Sequence, residues 1–170
     1  IVGAGLTGLL LAFAISNKNL GIFLADKNDF VSESNFKEDL RTTAISEGSK
    51  KIFEHFGLWG KIKKFANPID KIKVFDRKVS NKIDFANPNK HSVLGYIIKN
   101  AILKKILLKE ILNKKNISIG NKINIENITH TNDYILAKGS HISIRSKMLV
   151  AADGKFSLIR KLSKIKIFKK

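Results

Sequence analysis

No cysteine occurs among the 170 residues. That excludes disulfides, thiolate metal sites and a cysteine nucleophile, and it leaves the redox compartment open. Long apolar runs are missing too: the longest, Leu9 to Ile15, falls far short of the roughly eighteen residues needed to span a bilayer. No charged segment precedes it as in a secretory signal. The expected location is therefore the cytoplasm, with peripheral contact at the inner membrane as the alternative. The four histidines, His55, His91, His130 and His141, have no ligand spacing, and Ser157 has no visible His or Asp partner arrangement. These residues read as surface, cap or packing positions. Neither an internal repeat nor a low-complexity linker is visible.

Arginine is scarce. Of the 32 basic residues 28 are Lys and only 4 are Arg, beside 25 Ile and 15 Asn. A net charge of +18 would ordinarily suggest nucleic acid or an anionic membrane. Arg, however, is the residue suited to bidentate recognition of phosphates and bases. A joint excess of Lys, Ile and Asn points instead to the codon bias of an AT-rich genome. A basic membrane-surface or nucleic-acid binding module remains the alternative drawn from charge alone.

At 44% apolar content the chain is long enough for one globular domain with its own core. It begins with Ile, not Met, and Ile1-Val2 already reads as the inside of a strand, so the start of that strand is expected before residue 1. The last residues, Ser163 to Lys170, have no further element to pack against.

The organising stretch is Ile1-Val2-Gly3-Ala4-Gly5-Leu6-Thr7-Gly8, then an apolar helix to about Ser16, then Gly21-Ile22-Phe23-Leu24-Ala25-Asp26. In this G-x-G-x-x-G the first glycine permits a tight turn, the second lets backbone approach a pyrophosphate, and the third lets helix and strand pack closely. A diphosphate would sit at the helix N-terminus, where free N–H groups and the helix dipole favour negative charge. Asp26 ends a second strand where a carboxylate is expected to accept hydrogen bonds from a ribose. The alternative is a glycine turn that merely packs.

Farther along, residues 27 to 45 show no clean period and read as a long loop. Ser46 is a fitting N-cap for a short helix with Ile52, Phe53 and Phe56 on one face, and Gly57 suits its left-handed C-terminal position. Arg41 then lies on a loop able to reach a ligand. Lys71 to Phe75 and Lys82 to Phe85 alternate as a hairpin with its turn at Arg77 to Asn81, and Asn87-Pro88-Asn89 breaks the pattern. Leu94 to Ile98 leads into a well-covered helix ending near Leu112. Short β runs follow at Ile123 to Ile128, Tyr134 to Ala137, His141 to Ile144 and Met148 to Ala152, the last apolar enough for a buried parallel strand. It delivers Asp153 and Gly154 to the carboxyl end of a strand, where open α/β sheets bind ligands.

Three features converge on one family: the glycine turn with Asp26, the loop Asp39-x-Arg41-Thr42-Thr43-Ala44-Ile45-Ser46 with Gly57-Leu58-Trp59, and Val150-Ala151-Ala152-Asp153-Gly154-x-x-Ser157-x-x-Arg160. Together they resemble the FAD-dependent aromatic hydroxylases (flavoprotein monooxygenases). Leu94-Gly95-Tyr96-Ile97-Ile98-x-Asn100 narrows the resemblance to the ubiquinone-biosynthesis branch, over residues 1 to about 162. The fold this implies is α/β, a Rossmann-like FAD-binding domain of the glutathione-reductase type with a β-rich insertion. Residues 1–170 would be its amino-terminal part, interleaved with the start of a substrate domain at about 67–95.

The resemblance also implies roles. Gly3, Gly5 and Gly8 would approach the FAD diphosphate, Asp26 would bind the adenosine ribose, and Arg41 would reach the FAD. Asp153, Gly154 and Arg160 would lie beside the pyrophosphate and influence nicotinamide access. Ala101 stands where relatives often carry a longer polar side chain that helps hold the flavin, so that contact falls to Asn100 or is lost. The family's later Gly-Asp pair, which binds the ribityl chain, has no counterpart before residue 170, so a complementing chain or continuation is expected to carry it. The implied activity is hydroxylation of a polyprenylated phenol, with FAD, NADH or NADPH as electron donor and dioxygen as substrate. No side chain is implied as a general base. A truncated or split remnant that at most binds nucleotide is the competing expectation.

Overall fold

A computed structural model describes residues 1–32, 39–75, 82–86, 93–139 and 141–168. The chain divides into two compact units, Ile1–Lys37 with Leu107–Lys170, and Glu38–Ile106.

The first unit is built on parallel pairing. Strand β1 (Ile22–Ala25) pairs with β7 (Ile117–Gly120), from Ile22 opposite Ile117 to Ala25 opposite Gly120. Val2 bridges Ala25 on one side and Ala151 on the other, both in parallel. Its N–H donates to Val150 O at 2.9 Å and its carbonyl accepts from Ala152 N at 2.7 Å. The lateral order is therefore Ala151, Val2, β1, β7, and the carboxyl ends of these segments deliver Asp153, Gly3, Asp26 and Asn121 to one edge. Helix α1 (Leu6–Ile15) follows the glycine turn and is rich in Leu and Ala, which favour helix. It ends where the Ser16 hydroxyl donates to Phe13 O at 2.7 Å and Lys18 N–H to Ile15 O. Leu9, Ala12 and Leu24 are fully buried.

An antiparallel meander, β8 (Ile125–His130), β9 (Ile135–Gly139) and β10 (Ile142–Ser146), completes this unit with helix α5 (Leu158–Leu162). Ile125, Ala137 and Ile159 form a buried cluster, with Val2, Ile128, Ile144 and Leu162 packed against it. That packing connects the meander to the parallel segments.

In the second unit, β2 (Thr42–Ser46), β6 (Gly95–Lys99) and β3 (Asn67–Ile69) form an antiparallel sheet in the order β2-β6-β3. Pro68 sits on an edge strand, where its missing N–H costs no ladder bond. Helix α2 (Glu47–His55) starts at Ser46, whose hydroxyl accepts from Ser49 N at 3.2 Å, and Gly57 after it has φ +67°. Helix α3 (Trp59–Lys63) buries Trp59, whose ring meets Tyr96 edge-on at 4.8 Å. The hairpin β4 (Lys71–Phe75) and β5 (Lys82–Ala86) is present as expected, whereas its turn at 77 to 81 and the break at 87 to 89 lie outside the described residues. Helix α4 (Asn100–Leu112) buries Leu103, Leu107, Leu108 and Ile111, and the boundary between the units falls inside it.

Two expectations change. Thr42–Ser46, read as loop up to residue 45, is a strand because β6 pairs with all five of its residues. Met148 to Ala152 is parallel to Val2 but not buried: Met148 is 75% exposed. Among the described residues, no strand pairs with the outer side of this segment.

Candidate cofactor-binding site

The three loop glycines answer to different constraints. Gly3 has φ +105°, and a Cβ there would lie 2.3 Å from Ala152 O; a Cβ on Gly8 would lie 1.8 Å from Gly3 O. The chain itself forbids side chains at both positions, through backbone strain at one and close helix–turn packing at the other. Gly5 is different. Its φ of −70° is open to any residue, and a Cβ there would meet nothing within 4 Å. Nothing among the described residues requires glycine at this N-cap, and none of their side chains caps α1. The bare backbone faces open space at a helix N-terminus, which is the surface a diphosphate needs.

Asp26 holds this loop. Its Oδ2 accepts from Ala4 N–H at 2.7 Å, and its Oδ1 accepts from Asn28 N at 2.9 Å and Asn28 Nδ2 at 3.2 Å. Two carboxylate oxygens offer about four acceptor positions, so among the described residues one remains open.

The Asp153 motif is a closed hydrogen-bonded turn. Ser157 Oγ donates to Asp153 Oδ1 at 2.5 Å and accepts from Arg160 N at 3.0 Å, while Ile159 N donates to Asp153 Oδ2 at 3.1 Å. Burial pushes the Asp153 carboxyl up, but Ser157 and the Ile159 N–H outweigh it and hold the group below the usual carboxylate range. Gly154 takes φ +89° with open space where a Cβ would be. Arg160 reaches back to Lys155 O through Nη1 and Nη2, both at 3.4 Å, and its buried Nε has no partner among the described residues. The motif lies next to the glycine loop, because a Cβ on Gly3 would also meet Asp153 N at 2.7 Å.

In the second unit, Arg41 grips Asp39 with two bonds, Nε to Oδ1 at 2.8 Å and Nη2 to Oδ2 at 2.9 Å. Lys104 Nζ also donates to Asp39 Oδ2, at 3.0 Å. Arg41, with Lys104 adding to it, holds the Asp39 carboxyl well below its usual range in spite of burial, and Asp39 raises Arg41 in turn. The Arg41 side chain is nevertheless 75% exposed. Buried Asn100 accepts from Thr43 Oγ1 at 2.5 Å, and its N–H donates to Arg41 O at 2.9 Å. Gly3, Gly5, Gly8, Asp26, Asp153, Gly154 and Arg160 thus belong to one unit and Arg41 and Asn100 to the other. Lys104 is not singled out by the sequence; its one signal is its place one helical turn after Asn100.

Backbone donors around open space and an acid at the end of β1 are the arrangement a dinucleotide would use. The FAD binding domain family matches residues 1–170. The chain belongs to that family. As an FAD binding domain it is 24% identical to the "Ubiquinone biosynthesis monooxygenase COQ6, mitochondrial" of Dictyostelium discoideum, over 95% of this chain and 38% of the relative. It is 24% identical to the 3-demethoxyubiquinol 3-hydroxylase of Escherichia coli (strain K12), over 97% of this chain and 43% of the relative. The chain therefore spans about two fifths of the length of the curated relatives it matches. Among solved structures, p-nitrophenol 4-monooxygenase PnpA from Pseudomonas putida superposes with a TM-score of 0.78 at 21% identity, covering 95% of this chain and 42% of that one. The flavin-dependent monooxygenase PieE, in complex with FAD and substrate, gives 0.79 at 15%, covering 97% and 31%. These likenesses establish the α/β FAD-binding fold. No described helix is long and apolar enough to cross a membrane.

Proposed function

We propose that the chain is the FAD-binding amino-terminal part of an NAD(P)H-dependent monooxygenase that hydroxylates a polyprenylated phenol in ubiquinone biosynthesis. The observation that carries this reading is Gly5, a bare helix N-cap that nothing among the described residues requires, set beside Asp26 at the end of β1. The substrate class is supported by curated relatives named for ubiquinone biosynthesis or as ubiquinone and demethoxyubiquinol hydroxylases. When bound, FAD supplies the redox chemistry, taking electrons from a nicotinamide and activating dioxygen.

The residues have binding and orienting work. The N–H groups from Gly5 onward receive the diphosphate, and Asp26 accepts from the adenosine ribose. Asp153, fixed by Ser157, keeps Gly154 and Arg160 beside the diphosphate. Positioning within about an ångström governs such chemistry, so residues 1–170 alone, which span about two fifths of the relatives, are expected to bind FAD weakly. NADH oxidation by this polypeptide should appear as hydrogen peroxide.

The test is to assay a short-chain prenylphenol with NADH, FAD and oxygen, using residues 1–170 alone and then joined to the segment that follows the matched region in a curated relative. Hydroxylated product only from the joined protein supports the reading. FAD binding without product from either form would favour a nucleotide-binding remnant.

A further inference from the structure

The hairpin β4–β5, which lies wholly within the second unit, is sorted by its register. Ile72 stands opposite Phe85 and Val74 opposite Ile83, whereas Lys73 stands opposite Asp84. Side chains alternate between the two faces of a ribbon. Ile72, Val74, Ile83 and Phe85 therefore share one face, and Lys71, Lys73 and Asp84 share the other. On the charged face Lys71 Nζ donates to Asp84 Oδ2 at 2.6 Å. The apolar face has no such partner: its four members are 44% to 56% exposed, and among the described residues neither strand pairs with a third. A two-stranded ribbon is marginal in water by itself, and a contiguous apolar patch on the order of a few hundred Å² marks a site of interaction.

Area and charge select what covers it. A stable protein interface takes about 800 Å² from each partner, more than four half-exposed side chains supply, which argues against a second copy of the chain. A bilayer sets no such threshold, because each side chain partitions separately into the boundary between headgroups and acyl chains. Lys61, Lys63, Lys64, Lys71 and Lys73 are exposed, and Asp70 is the one acid between positions 61 and 75. Phe65, 44% exposed with Lys64 Nζ 5.1 Å from its ring centre, continues the pairing of apolar and cationic groups. Apolar side chains on one face and lysines on the other suit an element that lies flat on an anionic bilayer. We propose that the Ile72, Val74, Ile83 and Phe85 face of β4–β5 is a docking surface for an anionic lipid bilayer. The lysine excess does not carry this by itself, since lysines are spread along the whole chain; the separation of apolar from charged side chains on one ribbon does.

The inference does not depend on the cofactor reading. Its test is flotation of the chain with vesicles of phosphatidylglycerol and phosphatidylethanolamine, and with vesicles of phosphatidylcholine, over a range of lipid concentrations. Val74→Thr/Ile83→Thr keeps strand-favouring residues at the centre of the face, and thermal midpoints establish that it folds. Wild type should float with the anionic vesicles and not with the neutral ones. The double variant should partition about tenfold more weakly into the anionic vesicles, through loss of apolar burial. Lys71→Gln/Lys73→Gln should weaken partition about fivefold, with a shallower dependence on salt. Anionic vesicles bound equally by wild type and Val74→Thr/Ile83→Thr would mean that bulk charge alone attracts the chain, and would overturn the proposal. So would a wild-type dimer in sedimentation that becomes monomeric in this variant, which would assign the face to a second copy. The same two substitutions are made in residues 1–170 joined to the segment that follows the matched region in a curated relative. A loss of their effect there would show the face covered by protein, which also overturns the proposal. Should the double variant fail to fold, Ile83→Thr alone carries each comparison.

Discussion

The N–H of Ala4 donates to Asp26 Oδ2 at 2.7 Å, closing the glycine turn onto the carboxyl end of β1 across 22 residues. The acid at this position therefore shapes the loop itself, apart from its proposed contact with a ribose. Asp26→Asn keeps a carbonyl acceptor but loses charge and acceptor capacity. Urea unfolding should show a loss of about 1 kcal/mol, and Asp26→Ala about 2 kcal/mol, in keeping with hydrogen bonds to a charged group. FAD affinity should fall about tenfold or more in both. Unaltered affinity in Asp26→Ala would confine the acid to the structural task.

Gly8 carries the tightest approach in the loop, so Gly8→Ala should be severe even though alanine is the better helix former. The added methyl would sit 1.8 Å from Gly3 O, forcing α1 away from the turn. Destabilisation of about 3 kcal/mol or more is expected in a urea titration. A Gly8→Ala protein as stable as wild type would show that the turn and helix are not packed as described.

The strand-turn-helix-strand order over residues 1 to 26 was legible because each signal is local: glycines, an apolar helix, an apolar strand and a terminal acid. Ser46 as N-cap and Gly57 in the left-handed region were legible for the same reason. Strand β2 was not. Thr42–Ser46 has little pattern of its own and is extended because Gly95–Lys99, some fifty residues away, pairs with it. Lys104 escaped notice likewise, since its contact with Asp39 spans 65 residues and a lysine among 28 carries no distinguishing mark. For Asp26 the sequence carried no sign of its bond to Ala4, which joins positions 22 residues apart.

Ser157 is buried and bonded on both sides, to the Asp153 carboxylate and the Arg160 N–H. Ser157→Ala should therefore cost about 2 kcal/mol, at the upper end for an N-cap, and raise the pKa of Asp153 by removing a donor to its charged form. Denaturant unfolding gives the first quantity and carboxyl NMR titration the second. A cost near zero with an unmoved carboxyl would show that the motif is held by other contacts.

The loop after β1 is tied to the turn after β7 by Asp29. Asn121 Nδ2 at 2.9 Å, the Ser32 N–H at 3.1 Å and Lys122 Nζ at 3.1 Å bring its carboxyl down to about 2. The unfolded carboxyl titrates near 3.9. A depressed folded value means that the stabilisation is complete above the unfolded pKa and is lost as pH falls toward the folded one. The stability difference between wild type and Asp29→Asn should thus be constant from about pH 7 to pH 5 and shrink between about pH 4 and pH 2. A difference that persists unchanged at pH 2 would contradict the assignment.

Gly5 leaves a bare helix N-terminus that no described residue requires, and the proposed diphosphate contact rests on it most directly. Gly5→Val places its side chain in open space, so the fold should survive with a thermal midpoint within a few degrees of wild type. The same branch would stand where a diphosphate must approach backbone N–H groups, and FAD affinity by fluorescence titration should fall by about a hundredfold, the loss of several such bonds. Folded Gly5→Val that binds FAD as tightly as wild type would contradict a dinucleotide site at this loop.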